Sequence, residues 1–149
     1  MIYATKPKAE LLDYVLDNLR EEDKFEMRIE FGENYKQIIK KHCLKSTHIK
    51  IIVDGNFKPV GLFGYEEVDS ETAEVCLLAT DELKKHFIDF LNQAKTYLLF
   101  WKKKYKKLHN YVYKHNKQAI RWLKILGFTV EDYDDMRMYF YQEGSNEHN

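Results

Sequence analysis

Apolar positions along this chain switch between a period near 3.6 and a period of two, and the switches divide it into helices and strands. Ile2 to Ala4 suits a short strand, and Pro7 then permits a helix start that carries Ala9, Leu12, Val15, Leu16 and Leu19 at helical spacing. Glu22 to Glu30 reads as a second helix with Phe25, Met27 and Ile29 supplying an apolar face. The segment from Phe31 to Asn34 breaks it before Tyr35, Ile38, Ile39 and Cys43 resume the period. His48 to Val53 and Val60 to Tyr65 are β-rich runs joined by a segment holding Asp54-Gly55 and Pro59, which predicts an antiparallel hairpin. Glu74 to Ala79 is the next strand, and its unbroken apolar run from Val75 predicts a central strand covered on both faces.

Thr80 then reads as the cap of a long helix in which Leu83, Phe87, Phe90, Leu91, Ala94, Leu98, Trp101, Tyr105 and Leu108 recur every three or four residues. From 81 to 107 such a helix would span roughly 40 Å, so its lysine-rich end is expected to project or bend. Leu108 to Tyr113 alternates as a strand. His115-Asn116 leads into a short helix, Gln118 to Leu126, with Gly127 as its C-cap. Phe128 to Val130 and Met136 to Tyr141 close the chain as a hairpin. One domain over 1–143 with a flexible tail at 144–149 is the expected organisation.

The composition changes this picture in two places. With 44% apolar residues in a chain of 149, there is enough to fill one core and to exclude a disordered or fibrous chain. No apolar run approaches a membrane span and the first residues lack an apolar signal core, so a soluble, cytoplasmic protein with no membrane partner is expected. The two cysteines, Cys43 and Cys76, are too few for a disulfide framework, and no Cys/His ligand spacing predicts a metal site. Twenty-four basic and twenty-four acidic side chains cancel, yet they are segregated. Glu66 to Glu82 holds seven carboxylates and no Lys or Arg, whereas Phe90 to Val130 holds ten basic residues and no acidic one. Lys102, Lys103, Lys104, Lys106 and Lys107, interleaved with aromatics, suit nucleic acid, an acidic protein surface or a second copy carrying the acidic stretch Glu131 to Asp135. The same pattern also suits a solvated helix end.

The local pattern in HNKQAIRWLKILGFTV, residues 115 to 130, is an Asn after a strand, an Ala three residues on, and an apolar helix closing in Leu-Gly-Phe. It resembles the terminal motif of the GNAT N-acetyltransferase superfamily, and the predicted element order is similar to that superfamily's. Within it, LREED at 19–23, HIKIIVDGNFKPVGLFGY at 48–65, LLATDEL at 77–83 and LHNYVYKHNKQAIRWLKILGF at 108–128 look like a group of small proteins of short-tailed bacteriophages, the internal virion protein A type. The resemblance implies an α/β (α+β) fold, a mixed central sheet with flanking helices whose parallel strands 74–79 and 108–113 splay apart. It also implies acetyl-CoA or another acyl-CoA as cofactor and, from the phage group, a virion-assembly or interaction role with association to the virion. The backbone of a splayed strand can pair with the amide-bearing arm of an acyl-CoA as a pseudo-strand. Leu78, Ala79, Thr80, Lys84, Lys85 and Asn116 are the candidate cofactor contacts; Asn116 would equally serve as a helix cap.

Two departures from that family's pattern predict a degraded acetyl-CoA site. Active members cradle pyrophosphate in a glycine-containing loop, but residues 79–85 hold no glycine, and Asp81 with Glu82 place carboxylates where the anion would sit. The tyrosine that many members place four residues before the Gly of Leu-Gly-Phe is Leu123 here. Glu74 as general base and Tyr111 or Tyr113 as acid are the substitutes, with strand packing as the alternative role of both tyrosines. If the chain is an enzyme, it is expected to be an acyl-CoA-dependent N-acetyltransferase acting on an amine of a protein or small molecule.

Overall fold

The computed structural model describes residues 1–145. In chain order the elements are β1 (Ile2–Thr5), α1 (Ala9–Asp17), α2 (Glu21–Phe31), α3 (Tyr35–Lys45), β2 (Ile49–Asp54), β3 (Pro59–Glu67), β4 (Thr72–Ala79), a 3-10 helix (Asp81–His86), α4 (Phe87–Lys104), β5 (Lys107–Tyr113), α5 (Lys117–Ile125), β6 (Thr129–Asp132) and β7 (Arg137–Glu143). The strands form one seven-stranded mixed sheet in the order β1-β2-β3-β4-β5-β7-β6, with β4 in the middle. Two compact units divide the chain: Met1–Tyr65 with Cys76–Asp89, and Glu66–Val75 with the chain from Phe90 onward. Among the described residues no helix is long and apolar enough to cross a membrane.

In the first unit β1, β2 and β3 are joined by antiparallel ladders. Alternation along β2 turns Ile49, Ile51 and Val53 toward one face, where they meet Leu12, Val15 and Leu16 of α1, Leu19, and Tyr35, Ile39 and Cys43 of α3 in one buried cluster. Helix α2 departs from its expected face. Met27 packs against the core as expected, but Phe25 and Ile29 are exposed, and Asp23 and Glu26 are buried, with the Asp23 side chain held by Arg20 at the helix start and by Ala79 of β4. The β2–β3 turn forms where Asp54 and Pro59 predict it, but its left-handed residue is Phe57, at φ 63°, and not Gly55. The Asp54 carboxylate accepts from Lys58 N–H and Asn56 N–H, which holds it below the ordinary aspartate range.

The expected single helix over 81–107 is corrected in two places. Residues 81–86 form a 3-10 helix, α4 begins at Phe87, and it ends at Lys104, an α-helical length of about 27 Å for 18 residues. Its end does not project from its own unit. Tyr105 is buried with its hydroxyl on Glu67, Lys106 N–H donates to Glu71 O, and Gly144 and Ser145 N–H close on Lys106 O and Lys102 O. A Cβ on Gly144 would collide with the carbonyls of Tyr105 and Lys102, so this close return of the chain requires glycine. Of the tail predicted at 144–149, residues 146–149 lie outside the described residues.

In the second unit β4 pairs with β5 in parallel, Thr72 with Lys107, Ala73 with Leu108 and Glu74 with His109. β5 and β6 both pair antiparallel with β7. One face of β5 and β7 buries Leu108, Val112, Phe140 and Gln142; Phe140 meets Phe128 edge to face, and Gln142 Nε2 donates to Leu126 O. Helices α4 and α5 meet through Phe90 and Trp122, with centroids 6.1 Å apart. Gly127 ends α5 at φ 97°, the left-handed cap that the Leu-Gly-Phe triplet predicts.

Candidate functional site

The first unit contains the C-terminal end of β4. Thr80 N–H donates to Val60 O on β3, so the N–H and C=O of Ala79, one residue earlier, face the strand's other edge. That is the edge expected to offer free groups to an extended ligand, and at Ala79 both groups are taken. Ala79 N–H donates to Asp23 Oδ2 at 2.9 Å, and Ala79 O accepts from Arg20 N–H at 2.9 Å. A bridge between Leu19 and Thr80 continues this pairing. Asp23 in turn accepts from Arg20 Nη2 at 2.9 Å, with Arg20 6% and Asp23 3% exposed. Burial pushes the Asp23 carboxyl above its usual range, against the pull of Arg20 and the Ala79 amide. Burial works most strongly against the Arg20 charge, and the hydrogen bond to Asp23 together with the charges of Asp23, Glu22 and Glu26 outweighs it, leaving the guanidinium above its ordinary value.

Beyond Ala79, the Thr80 hydroxyl accepts from Glu82 N–H at 3.2 Å and Leu83 N–H donates to Thr80 O at 3.3 Å. The Glu82 and Leu83 amides of the 3-10 helix are therefore satisfied by Thr80. Glu82 pairs with Lys85 at 3.1 Å, and this hydrogen bond and charge hold the Glu82 carboxyl below its usual range. Lys84 is exposed and Leu78 is buried in the core cluster. Asp89, in the first turn of α4, accepts from Ile2 N–H at 2.8 Å.

The second unit gathers Glu74 and His109, paired across the parallel ladder, on the same side of the sheet as Tyr111, Arg137, Tyr139 and Tyr141. His109 packs against Tyr139, and its Nδ1 is buried with no hydrogen-bond partner among the described residues. Burial lowers its pKa against the opposing charge of Glu74, so the imidazole is neutral at pH 7. Tyr111 lies 4.6 Å from Tyr133 and 5.2 Å from Tyr139, centroid to centroid, and Arg137 sits over its ring. Its hydrogen bond with Tyr133, then burial, raises the phenol above the ordinary tyrosine range, so it keeps its proton. Just past the ladder, Asn110 Nδ2 donates to Val75 O at 3.0 Å while its Oδ1 accepts from Tyr111 N–H. A side-chain amide thus stands where the next main-chain bond would be.

Tyr113 is buried and meets the His115 ring edge on. Asn116 is buried and caps α5, accepting from Ala119 N–H at 3.3 Å. Among the described residues no group of His, Cys, Asp and Glu side chains is placed to hold a metal ion.

No family model matches the sequence, nor does any curated protein. Solved structures do match over nearly the whole chain. The PaiA N-acetyltransferase of Thermoplasma acidophilum with coenzyme A is 18% identical, covering 96% of this chain and 99% of that one, with a TM-score of 0.71. The PseH N-acetyltransferase of Campylobacter jejuni with acetyl coenzyme A is 19% identical, covering 97% and 100%, at 0.64. The spermidine N-acetyltransferase of Vibrio cholerae with CoA and spermine is 14% identical, covering 99% and 98%, at 0.69.

The chain has the GNAT N-acetyltransferase fold.

On a GNAT fold the pyrophosphate cradle would precede α4, and the residues present there do not fit one. The segment is helical from Asp81, holds no glycine and carries two carboxylates, so it offers no row of free amides to an anion. Three residues that matter to this GNAT-fold chain are absent from the sequence-derived candidates. Arg20 and Asp23 lie in a charged stretch that reads as the solvent face of a helix, and nothing in the pattern signals that Asp23 turns inward. His109 was legible in part: alternation in LHNYVY puts it in phase with Tyr111, but its neighbour Glu74 depends on the register of a parallel pair.

Proposed function

We propose that this chain is an acyl-CoA-dependent N-acyltransferase whose proton transfer rests on Glu74 and His109. The observation that carries the reading is the Glu74–His109 pair at the end of the parallel β4–β5 ladder, on a fold whose solved neighbours include complexes with acetyl-CoA and CoA. A neutral imidazole beside a carboxylate can take the proton of an ammonium acceptor, and Glu74 stabilises the imidazolium that results. Tyr111, protonated at pH 7, is a proton donor on the same face. An acyl-CoA supplies the activated acyl group when bound; its amide arm would need the edge of β4 at Ala79, which Arg20 and Asp23 now occupy.

One set of observations favours a second reading, an interaction or assembly role, in a virion by the phage resemblance, without acyl transfer. The glycine-free 3-10 segment and the closed β4 edge are what a chain that no longer binds the cofactor would retain. Calorimetry with acetyl-CoA, followed by chromatographic detection of CoA released in the presence of primary amines, separates the two. Binding with amine-dependent release supports the enzyme; no heat at millimolar acetyl-CoA sinks it.

A further inference from the structure

Within the second unit, two surface features of opposite charge each display apolar side chains that fold stability alone would bury. The first is the solvent face of α4. At 100° per residue, Lys95, Thr96, Leu99, Phe100 and Lys103 lie on one side of the helix. Leu99 is 59% and Phe100 64% exposed, and neither Lys95 nor Lys103 has a carboxylate partner among the described residues. The second is the β6–β7 tip, where Tyr133 is 54% and Met136 49% exposed among Glu131, Asp132, Asp134 and Asp135. Its shape is fixed, because Asp134 Oδ1 accepts from Met136 and Arg137 N–H and its Oδ2 from the Arg137 guanidinium. The outward carboxylates are poorly engaged: Asp132 reaches Lys114 only at 3.5 Å.

We propose that copies of this chain associate by seating the β6–β7 tip of one on the α4 face of another. Tyr133 and Met136 cover Leu99 and Phe100, and Asp132 and Asp135 meet Lys95 and Lys103. Both complementary halves belong to one chain, so the occupant is a second copy. Two α4 faces meeting each other would instead oppose lysine to lysine. Two copies that each give and receive make a closed dimer, whereas a single-sided contact propagates head to tail. This proposal is independent of the acyltransferase reading.

Sedimentation of the full chain tests it. The wild type should associate at tens of micromolar in 50 mM salt and dissociate toward 500 mM, since exposed charges are screened within roughly 8–10 Å near physiological ionic strength. Lys95→Glu with Lys103→Glu, and separately Asp132→Lys with Asp135→Lys, should each sediment as monomer, and a one-to-one mixture of the two should associate again. Leu99→Ser with Phe100→Ser, which leaves every charge in place, should also be monomeric. Circular dichroism confirms that each variant is folded. A monomeric wild type at every concentration, variants that associate like the wild type, or a mixture that stays monomeric would each overturn it.

Discussion

Replacing Asp23 by Ala tests how the β4 edge is held shut. In the wild type one carboxylate serves two buried partners, the Arg20 guanidinium at 2.9 Å and the Ala79 amide at 2.9 Å, with Asp23 itself 3% exposed. The variant takes from a buried guanidinium its nearest carboxylate and leaves Glu22 at 3.7 Å, so the cost is up to about 3–5 kcal/mol. The orphaned Ala79 N–H falls within the same loss and accounts for roughly 1–3 kcal/mol of it. Changing Arg20 to Met together with Asp23 to Leu removes both charges of this closest pair and leaves the Ala79 amide unmet. The double variant should therefore lose less stability than Asp23→Ala alone. Urea unfolding gives the comparison directly, with the midpoint falling and the slope m unchanged if the native state stays compact. An Asp23→Ala loss below about 1 kcal/mol, or a double variant less stable than the single one, would refute the clasp as a buried, mutually dependent pair. By the same logic Asp23→Ala should bind acetyl-CoA more tightly than the wild type, because the Ala79 amide is released.

Two further predictions follow from the second unit. Gly127→Ala, at φ 97°, should cost roughly 1 kcal/mol in thermal or urea unfolding, and an unchanged midpoint would remove the capping argument. His109 has a depressed pKa, so the unfolded chain binds its proton more tightly than the native state does; that contribution is complete above about pH 6.5 and is lost as pH falls through the lower native value. Stability measured at pH 7.5, 6.5 and 5.5 should therefore fall less steeply in His109→Gln than in the wild type, and parallel curves would contradict it.

Much of the fold is legible because it rests on local period and turn chemistry. The spacing of Leu12, Val15, Leu16 and Leu19, the hairpin of 48–65, the apolar β4 and the Leu-Gly-Phe cap all come out within a residue or two of the observed elements. The failures have a common cause. Helix α2 shows Phe25 and Ile29 to solvent, with Met27 packed on the core, because Asp23 is needed inside, by a strand 56 residues away in sequence. The 3-10 helix at 81–86 interrupts a heptad-like apolar stripe that continues through it, so period alone cannot place the α4 start at Phe87. The closed end of α4 depends on Gly144 and Ser145 returning to Lys106 and Lys102, a contact with no local signature. At the site, Glu74 and Tyr111 are legible as chemistry-bearing residues in strands. Their partners His109 and Tyr133 are set by ladder register and by a hairpin tip, which a linear pattern does not encode.

Calorimetric titration of the wild-type protein with acetyl-CoA, run with and without a primary amine and with CoA release measured on the same samples, tests the central claim most directly. The occupied β4 edge at Ala79 predicts weak binding, with a Kd on the order of 10⁻⁴ M or about 5.5 kcal/mol, and CoA release that requires the amine and disappears in Glu74→Gln. No binding heat at millimolar acetyl-CoA, or release that is indifferent to both the amine and Glu74, would contradict an acyltransferase built on this pair.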